Sequence, residues 1–429
     1  MPRQEDGRRS LTSGSPVAPR YCGEPVGTGE TGDSIVAIRR HDSFSALLKS
    51  PRVARWLLWA TLAVHVPIGV VAIGESRRPN GDFDNYYYNI GARAGRPYVD
   101  FAVEFPVAAA QTFRVLAPIA GSRERFGVGL VLISLAADAA IVGALGWGWG
   151  IGAAACYALV VIPLLDLFLL RFDLWPTAFA AIAAAAWRRE RGALAAIGFV
   201  AGAAFKLWPL MFLPLLFVAP DRRRRITWLA TAVAAGLVVL GVWLSVAGPA
   251  GLYQVLTFRG ARGWQIESTV GSVWMLFDRS SIRSEAGALR IGATSGPITV
   301  LLFVLGAAPC LWMIWRGGRT RHLGAGWSGG ISALLFMSAL LSPQFAVWLA
   351  PASGIAWAEK DRRTAMLNGL AVFVTNLVFK SANPLGRGSP RALAILLARN
   401  LLLAVLVFHA ARLLARASQE GSRRIPPNA

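Results

Sequence analysis

Charged residues are few and clustered in an otherwise apolar chain, and their types suit one kind of chemistry. The densest group lies between residues 81 and 106, where Asp82, Asp84, Asp100 and Glu104 stand among aromatic residues that include Tyr86 and Tyr87. Further on, Arg171 and Asp173 flank Phe172, and Lys206 precedes Leu207-Trp208-Pro209. The stretch from Arg259 to Ser268 holds Arg262, Trp264, Gln265 and Glu267, and Gln344 follows Ser342-Pro343. A carboxylate can take the proton of an attacking hydroxyl as a general base. Arg or Lys stabilises the negative charge that grows on a departing phosphate. Both groups on one face at a water–lipid boundary, beside apolar helices that hold a lipid tail, are what transfer from a lipid phosphate requires. Each member alone has a plainer reading. Arg171 and Asp173 are then a local ion pair turning a helix hairpin, Lys206 a snorkelling helix-end lysine, and the tyrosines an interfacial belt. A charge at a helix centre costs roughly 2.5 kcal/mol or more in a bilayer, so such residues are kept for pairing or function.

The elements that carry these residues are membrane spans. Of 429 residues, 55% are hydrophobic, the mean hydropathy is +0.49, and apolar runs near the ~20 residues of a span recur along the chain. The chain therefore reads as an all-α polytopic membrane protein. The net charge of +21 sits mainly in short basic clusters between apolar runs. That is a topology signal rather than a nucleic-acid surface, so no nucleic-acid partner is expected. Cys22, Cys156 and Cys310 lie far apart and the four histidines are scattered, so no metal or disulfide spacing is visible. The carboxylates are compatible with a divalent cation, but no spacing demands one.

Residues 1–50 read as a disordered cytoplasmic tail, residues 51–411 as one transmembrane domain, and residues 412–429 as a basic cytoplasmic tail. Within the domain, 75–126 forms a long first outer loop, and its apolar stretch 104–120 is taken as interfacial because Gln111, Arg114 and Pro118 interrupt it. With that choice the clusters 188–191, 222–225, 316–321, 360–363 and 412–424 all fall inside. The result is about 12 spans with both termini cytoplasmic and the unusual polar residues outside. Residues 193–219 are too long for one straight span and too short for two. They read as two short helices meeting at Phe205-Lys206-Leu207-Trp208-Pro209, with opened backbone that needs protein or a wet cavity beside it.

Five short motifs occur in one order on that outer side. They are D-x-x-x-Y-Y with G-x-P-Y-x-D-F and E-F-P (Asp82 to Pro106), R-F-D (Arg171 to Asp173), K-L-W-P (Lys206 to Pro209), R-G-x-Q-I-E-S (Arg262 to Ser268) and S-P-Q-F (Ser342 to Phe345). On these motifs the chain resembles the GT-C glycosyltransferases of the family 87 type, over roughly residues 56–410. Two positions depart from the family pattern. Val107 stands where a second proline is usual, and Ala339 where a lysine often precedes S-P-Q.

The resemblance implies a GT-C-like bundle and an inverting transfer at the outer face of the cell membrane. A sugar, commonly mannose, leaves a polyprenyl monophosphate carrier for a hydroxyl of a glycolipid or polysaccharide acceptor. It implies Asp82 or Asp84 as the base, and Lys206, Arg262 and Arg171 at the donor phosphate. Glu104, Asp100, Asp173, Gln265, Glu267 and Gln344 would shape the site or bind sugar hydroxyls, with Tyr86, Tyr87 and Trp264 walling it. Two other readings stand beside this one: a transporter or flippase of a lipid-linked sugar, which broken helices and an intramembrane lysine also suit, and an envelope-assembly scaffold without catalysis.

Overall fold

The computed structural model describes residues 51–77, 82–257, 262–285, 287–294 and 296–423, with the side chains of 82–85 and 420–423 excepted. The expected tail over 1–50 and the last residues of the C-terminal tail lie outside the described residues, as does Arg259.

The bundle opens with α1 (Pro51–Ser76) and two short helices, α2 (Asp82–Ala92) and α3 (Val107–Ala120), joined by irregular backbone. Then α4 (Arg123–Trp149) begins at Ser122, whose hydroxyl accepts from the Arg125 N–H. It leads to α5 (Ile151–Val161), a 3₁₀ turn, α6 (Leu165–Leu169), α7 (Leu174–Arg188) and α8 (Gly192–Phe205). A 3₁₀ helix, Trp208–Phe217, precedes the long α9 (Arg222–Leu256). The following loop folds into an antiparallel sheet of β1 (Trp264–Gln265), β2 (Arg283–Glu285) and β3 (Ala288–Ile291), in the order β1-β3-β2. The short α10 (Thr269–Trp274) lies between the first two strands. The rest is α11 (Gly296–Thr320), α12 (Leu323–Phe336), a 3₁₀ helix Pro343–Trp348, α13 (Ala350–Ala358), α14 (Arg362–Lys380), α15 (Ala382–Gly386) and α16 (Pro390–Arg423).

Among the described residues six helices are long and apolar enough to cross a membrane: α1, α4, α5 continued through α6, α9, α11 and α16. Several expected spans take another form. Residues 324–341 and 345–358 give helices broken at Pro343, and 207–219 gives 3₁₀ structure. The cause is local. Pro209 and Pro214 have no N–H to give to an α-helical ladder, so ten residues settle into the tighter i→i+3 form that seldom runs so long. The expected meeting of two short helices at Lys206 is present. Helix α8 stops at Phe205, Lys206 is extended, and a Cβ at Gly202 would come within 3.2 Å of Pro209 on the returning segment. The stretch 107–120, expected not to span, is a helix of 14 residues. The small sheet was not anticipated.

Helix α7 is rich in alanine, the best helix former, and its small side chains let α8 and α4 pack closely on it. The basic clusters meet at one end of the bundle. Arg224 pairs with Glu190 at 2.5 Å, Arg189 donates to the Trp147 carbonyl at 2.8 Å and 2.5 Å, and Arg316 donates to Ser418. Glu359 accepts the Leu323 and Gly324 N–H groups at 3.1 and 2.8 Å, which caps α12. Burial pushes the Glu359 carboxyl up to about 8. The motif residues occupy the opposite end.

Candidate functional site

Three helix breaks converge at that opposite end. Asp173 opens α7 and is fully buried. Its Oδ1 accepts from the Lys206 ammonium at 2.5 Å and from the Trp348 indole N–H at 3.0 Å. The plainer reading, a local Arg171–Asp173 ion pair, is therefore replaced by a pair between Asp173 at the start of α7 and Lys206 at the end of α8. Lys206 lies 4.4 Å from the Phe345 ring centroid, 5.1 Å from Phe172 and 5.2 Å from Trp348. Three rings around an ammonium supply cation–π attraction in place of water. The lysine side chain keeps 16% of its exposure, so the cage is open on one side. The other oxygen of Asp173, Oδ2, is buried without a hydrogen-bond partner.

The first loop closes over this cluster. Tyr86 donates to both carboxylate oxygens of Glu104, at 2.5 and 2.6 Å. Tyr87 stacks on Phe113 at 4.8 Å, meets Phe172 edge-on at 5.5 Å and accepts from Arg171 at 3.3 Å. Burial pushes the Tyr87 phenol up to about 12, against the pull of the Arg171 charge, so it stays a neutral hydroxyl. Burial raises Tyr98 as well, and its hydroxyl donates to the Phe105 carbonyl at 2.6 Å. Asp100 is placed differently from the site. It is half exposed and accepts from the Arg96 N–H at 2.6 Å, closing the turn that presents Phe101 and Glu104. Asp82 and Asp84 are the first and third residues of α2, one turn ahead of Tyr86 and Tyr88. Their side chains lie outside the described residues.

The segment 262–268 is joined to the S-P-Q-F break through its backbone. The Gln265 N–H donates to the Ala339 carbonyl at 3.1 Å, and the Gln265 side chain accepts from the Leu341 N–H at 3.1 Å. Gln344 accepts from Ser342 at 2.8 Å, at the start of the 3₁₀ helix that carries Phe345 and Trp348. Burial raises the Glu267 carboxyl, against its own backbone N–H, the Arg399 charge, the Gln265 amide and Arg290. Trp264 has no free face. It is 4% exposed in a second apolar core with Leu385, Leu393 and Leu396, so it supports the sheet. Arg262 is exposed; its N–H donates to Glu285, its carbonyl accepts from Arg283, and no contact among the described residues ties its guanidinium to Lys206.

Two apolar grooves are walled by the sequence neighbours of Lys206, Phe205 in one and Leu207 in the other. One, of about 300 Å³, runs between α3, α4, α7 and α8 and is lined by Trp175, Phe179 and Phe205. The other, of about 470 Å³, runs between α8, the 3₁₀ helix 208–217 and α9, from Leu229 to Leu252, and is lined by Leu207. Neighbours of the lysine in sequence thus wall separate grooves. No group of three or more His, Cys, Asp or Glu is gathered as a metal site among the described residues.

Sequence reasoning missed two buried polar clusters. His65 of α1 bonds Asp138 of α4 at 2.8 Å and the Ala158 carbonyl at 2.9 Å, while Tyr157 of α5 donates to Asp138 at 2.8 Å. A single aspartate inside the apolar run 127–147 was the available signal. The second is Arg399 with Asn400, inside the apolar run of α16. No family model matches the chain, and no curated protein matches it either.

Proposed function

We propose that this protein is an integral-membrane glycosyltransferase. It moves a sugar, mannose in the first instance, from a polyprenyl monophosphate to a hydroxyl of a cell-envelope glycolipid or polysaccharide. The observation that carries the reading is Lys206, a cation held at the meeting of three helix breaks by Asp173 and three aromatic rings. It stays partly open, and its sequence neighbours Phe205 and Leu207 each wall an apolar groove. A lipid phosphate demands this combination, a fixed positive charge beside surfaces that accept a prenyl chain.

In this reading Asp82 or Asp84 removes the proton of the acceptor hydroxyl. The acceptor oxygen bonds to the anomeric carbon from the face opposite the phosphate. The bond from that carbon to the phosphate oxygen breaks, and its electron pair leaves with the polyprenyl phosphate. Lys206 stabilises that departing charge, with Arg171 beside it. Asp173 and Trp348 hold the lysine in place, and Glu104 with Tyr86 offers oxygens to the sugar. With the short and broken helices paired as passes the bundle has about 12 crossings, a GT-C-like count, and the basic end lies in the cytoplasm with both termini. The broken pair around Lys206 also suits a transporter of the same lipid.

The test is sugar transfer by the purified chain in nanodiscs, from polyprenyl-phosphate mannose to envelope glycolipids. Wild type is run beside Asp82→Asn and Asp84→Asn. Loss of transfer in one variant with donor binding intact is the expected result and identifies the base. Survival of transfer in both removes the base assignment. Movement of the donor across a vesicle with no transfer would turn the reading into the transporter, and donor binding with neither into the scaffold.

A further inference from the structure

Lys206 stands at the head of a row of leucines. The 3₁₀ helix Trp208–Phe217 has three residues per turn, so side chains three apart eclipse one another. Leu207, Leu210, Leu213 and Leu216 therefore stand in line, and all four line the groove of about 470 Å³. At about 2.0 Å per residue the row is ~18 Å long, room for roughly four isoprene units of an extended chain. Trp208 and Phe212 belong to the other two rows and pack inward, on Trp348 at 5.1 Å and Trp327 at 4.4 Å. The facing wall is α9, through Leu229, Val233, Gly236, Leu240 and Trp243, whose spacing of three or four keeps to one side of the helix. Gly236 leaves that wall bare, since a Cβ there would meet nothing within 4 Å. The lining side chains are apolar throughout, the indole N–H of Trp243 apart.

Lipid tails are as apolar as leucine, so hydrophobicity alone does not choose among chains. Attachment does. Leu207 follows Lys206 directly, with about 3.8 Å between their Cα atoms. In a polyprenyl phosphate the first isoprene unit is esterified straight to the phosphate, so a chain whose charge meets Lys206 begins beside Leu207. In a glycerophospholipid the glycerol separates phosphate from acyl chains, which then start farther from the lysine. The groove of about 300 Å³ is the poorer candidate. Its residue next to the lysine is Phe205, whose ring is already stacked on Phe179 at 5.5 Å and set edge-on to Trp175 at 6.0 Å.

We infer that the groove between the leucine row and α9 is the seat of the donor's prenyl chain, with Leu207 at its phosphate end and Leu216 farther along. The inference rests on the reading of Lys206 as the cation for the donor phosphate. It goes beyond that reading in choosing between two grooves and in giving the chain its direction.

The deciding experiment is photolabelling of the full chain in phosphatidylcholine nanodiscs. The probe is a sugar-free decaprenyl phosphate with a diazirine on its third isoprene unit, and adducts are mapped by peptide mass spectrometry. Label is expected on 210–216 and on 233–243. Gly236→Leu fills the groove from a position with open space around it, so the fold is kept and label there should fall about tenfold. Gly241→Leu, on the exposed side of the same helix and equally unobstructed, should leave the label unchanged. In the transfer assay Gly236→Leu should raise KM for the decaprenyl donor by a similar factor. Label in the groove between α4 and α7 instead, or equal label from a phosphatidylglycerol with a diazirine in one acyl chain, would overturn the inference. So would label that survives Gly236→Leu, or a pairing of two chains that shields the groove from both probes. Labelling needs no turnover. A prenyl chain in this groove without sugar transfer would sink the transferase and leave the site, whereas transfer with label in the other groove would do the reverse.

Discussion

Two buried ionic clusters divide the molecule, and they are built in opposite ways. His65, Asp138 and Tyr157 come from the interiors of three unbroken helices, and each oxygen of Asp138 receives a bond. The histidine ring has a partner at both nitrogens. Asp173 and Lys206 come from helix ends, one after a turn and the other in extended backbone; one carboxylate oxygen has no partner, and the lysine stays partly open. A closed network joins α1, α4 and α5 and offers nothing to a ligand. The open one keeps bonding capacity in reserve, which is what a binding centre needs.

The comparison breaks most readily at the lysine. Lys206→Met should lower transfer by about 100-fold to 1,000-fold, the usual scale for removing one group that stabilises developing charge. It should also destabilise the fold, because Asp173 is left buried and unpaired, by roughly 3–5 kcal/mol. The double variant Lys206→Met with Asp173→Asn should recover most of the thermal stability and none of the transfer. Recovery of both would mean that the pair is structural, like the other cluster.

Asp138→Ala is the converse. It strands two buried donors and should cost about 3–5 kcal/mol, seen as an early thermal transition in detergent. Transfer per folded molecule should stay within a fewfold of wild type at low temperature. A loss of transfer without a loss of stability would move the His65 cluster into the functional site.

A smaller effect sharpens the contrast at the basic end, where Glu359 caps α12. Burial sets its carboxyl at about 8, above the ordinary 4.5. The folded chain then holds a proton that the unfolded chain has released between those values, so stability falls as pH rises from about 4.5 to 8. Glu359→Gln should flatten the unfolding temperature across that window. An unchanged slope would place the pH response in another group.

The all-α membrane class and the meeting of three motifs were easier to read from the sequence than the course of the individual spans. R-F-D, K-L-W-P and S-P-Q-F were legible because proline and charge interrupt apolar runs, and such interruptions mark backbone that leaves the helix. Their meeting followed from side preference alone. The partners did not. The plainer reading of Asp173 pairs it with its neighbour Arg171, whereas the contact that forms reaches Lys206, 33 positions away. Trp264 was read as a wall of the site, but it lies beneath a sheet whose strands are two to four residues long. Strands that short carry too little alternation to announce themselves. Span lengths failed at 208–217 for a reason visible in hindsight, two prolines five residues apart in one apolar run.

Gly248 has a mechanical consequence. At φ 60° and ψ −174° it leaves helical geometry within α9, and Pro249 then starts the last two turns on a new line. Most of α9 is uncovered, with only 6% of its apolar window buried. Its final stretch is nonetheless clasped: the Gln254 side chain accepts from the Val103 N–H at 3.0 Å and donates to the Tyr98 carbonyl at 2.9 Å. The wall of the larger groove and the strap that bears Glu104 are therefore one linkage. A chain that wedges α9 outward must either drag the 98–103 backbone with it or break two hydrogen bonds, each worth about 1 kcal/mol. Filling the groove and setting the position of Glu104 are thus mechanically the same event.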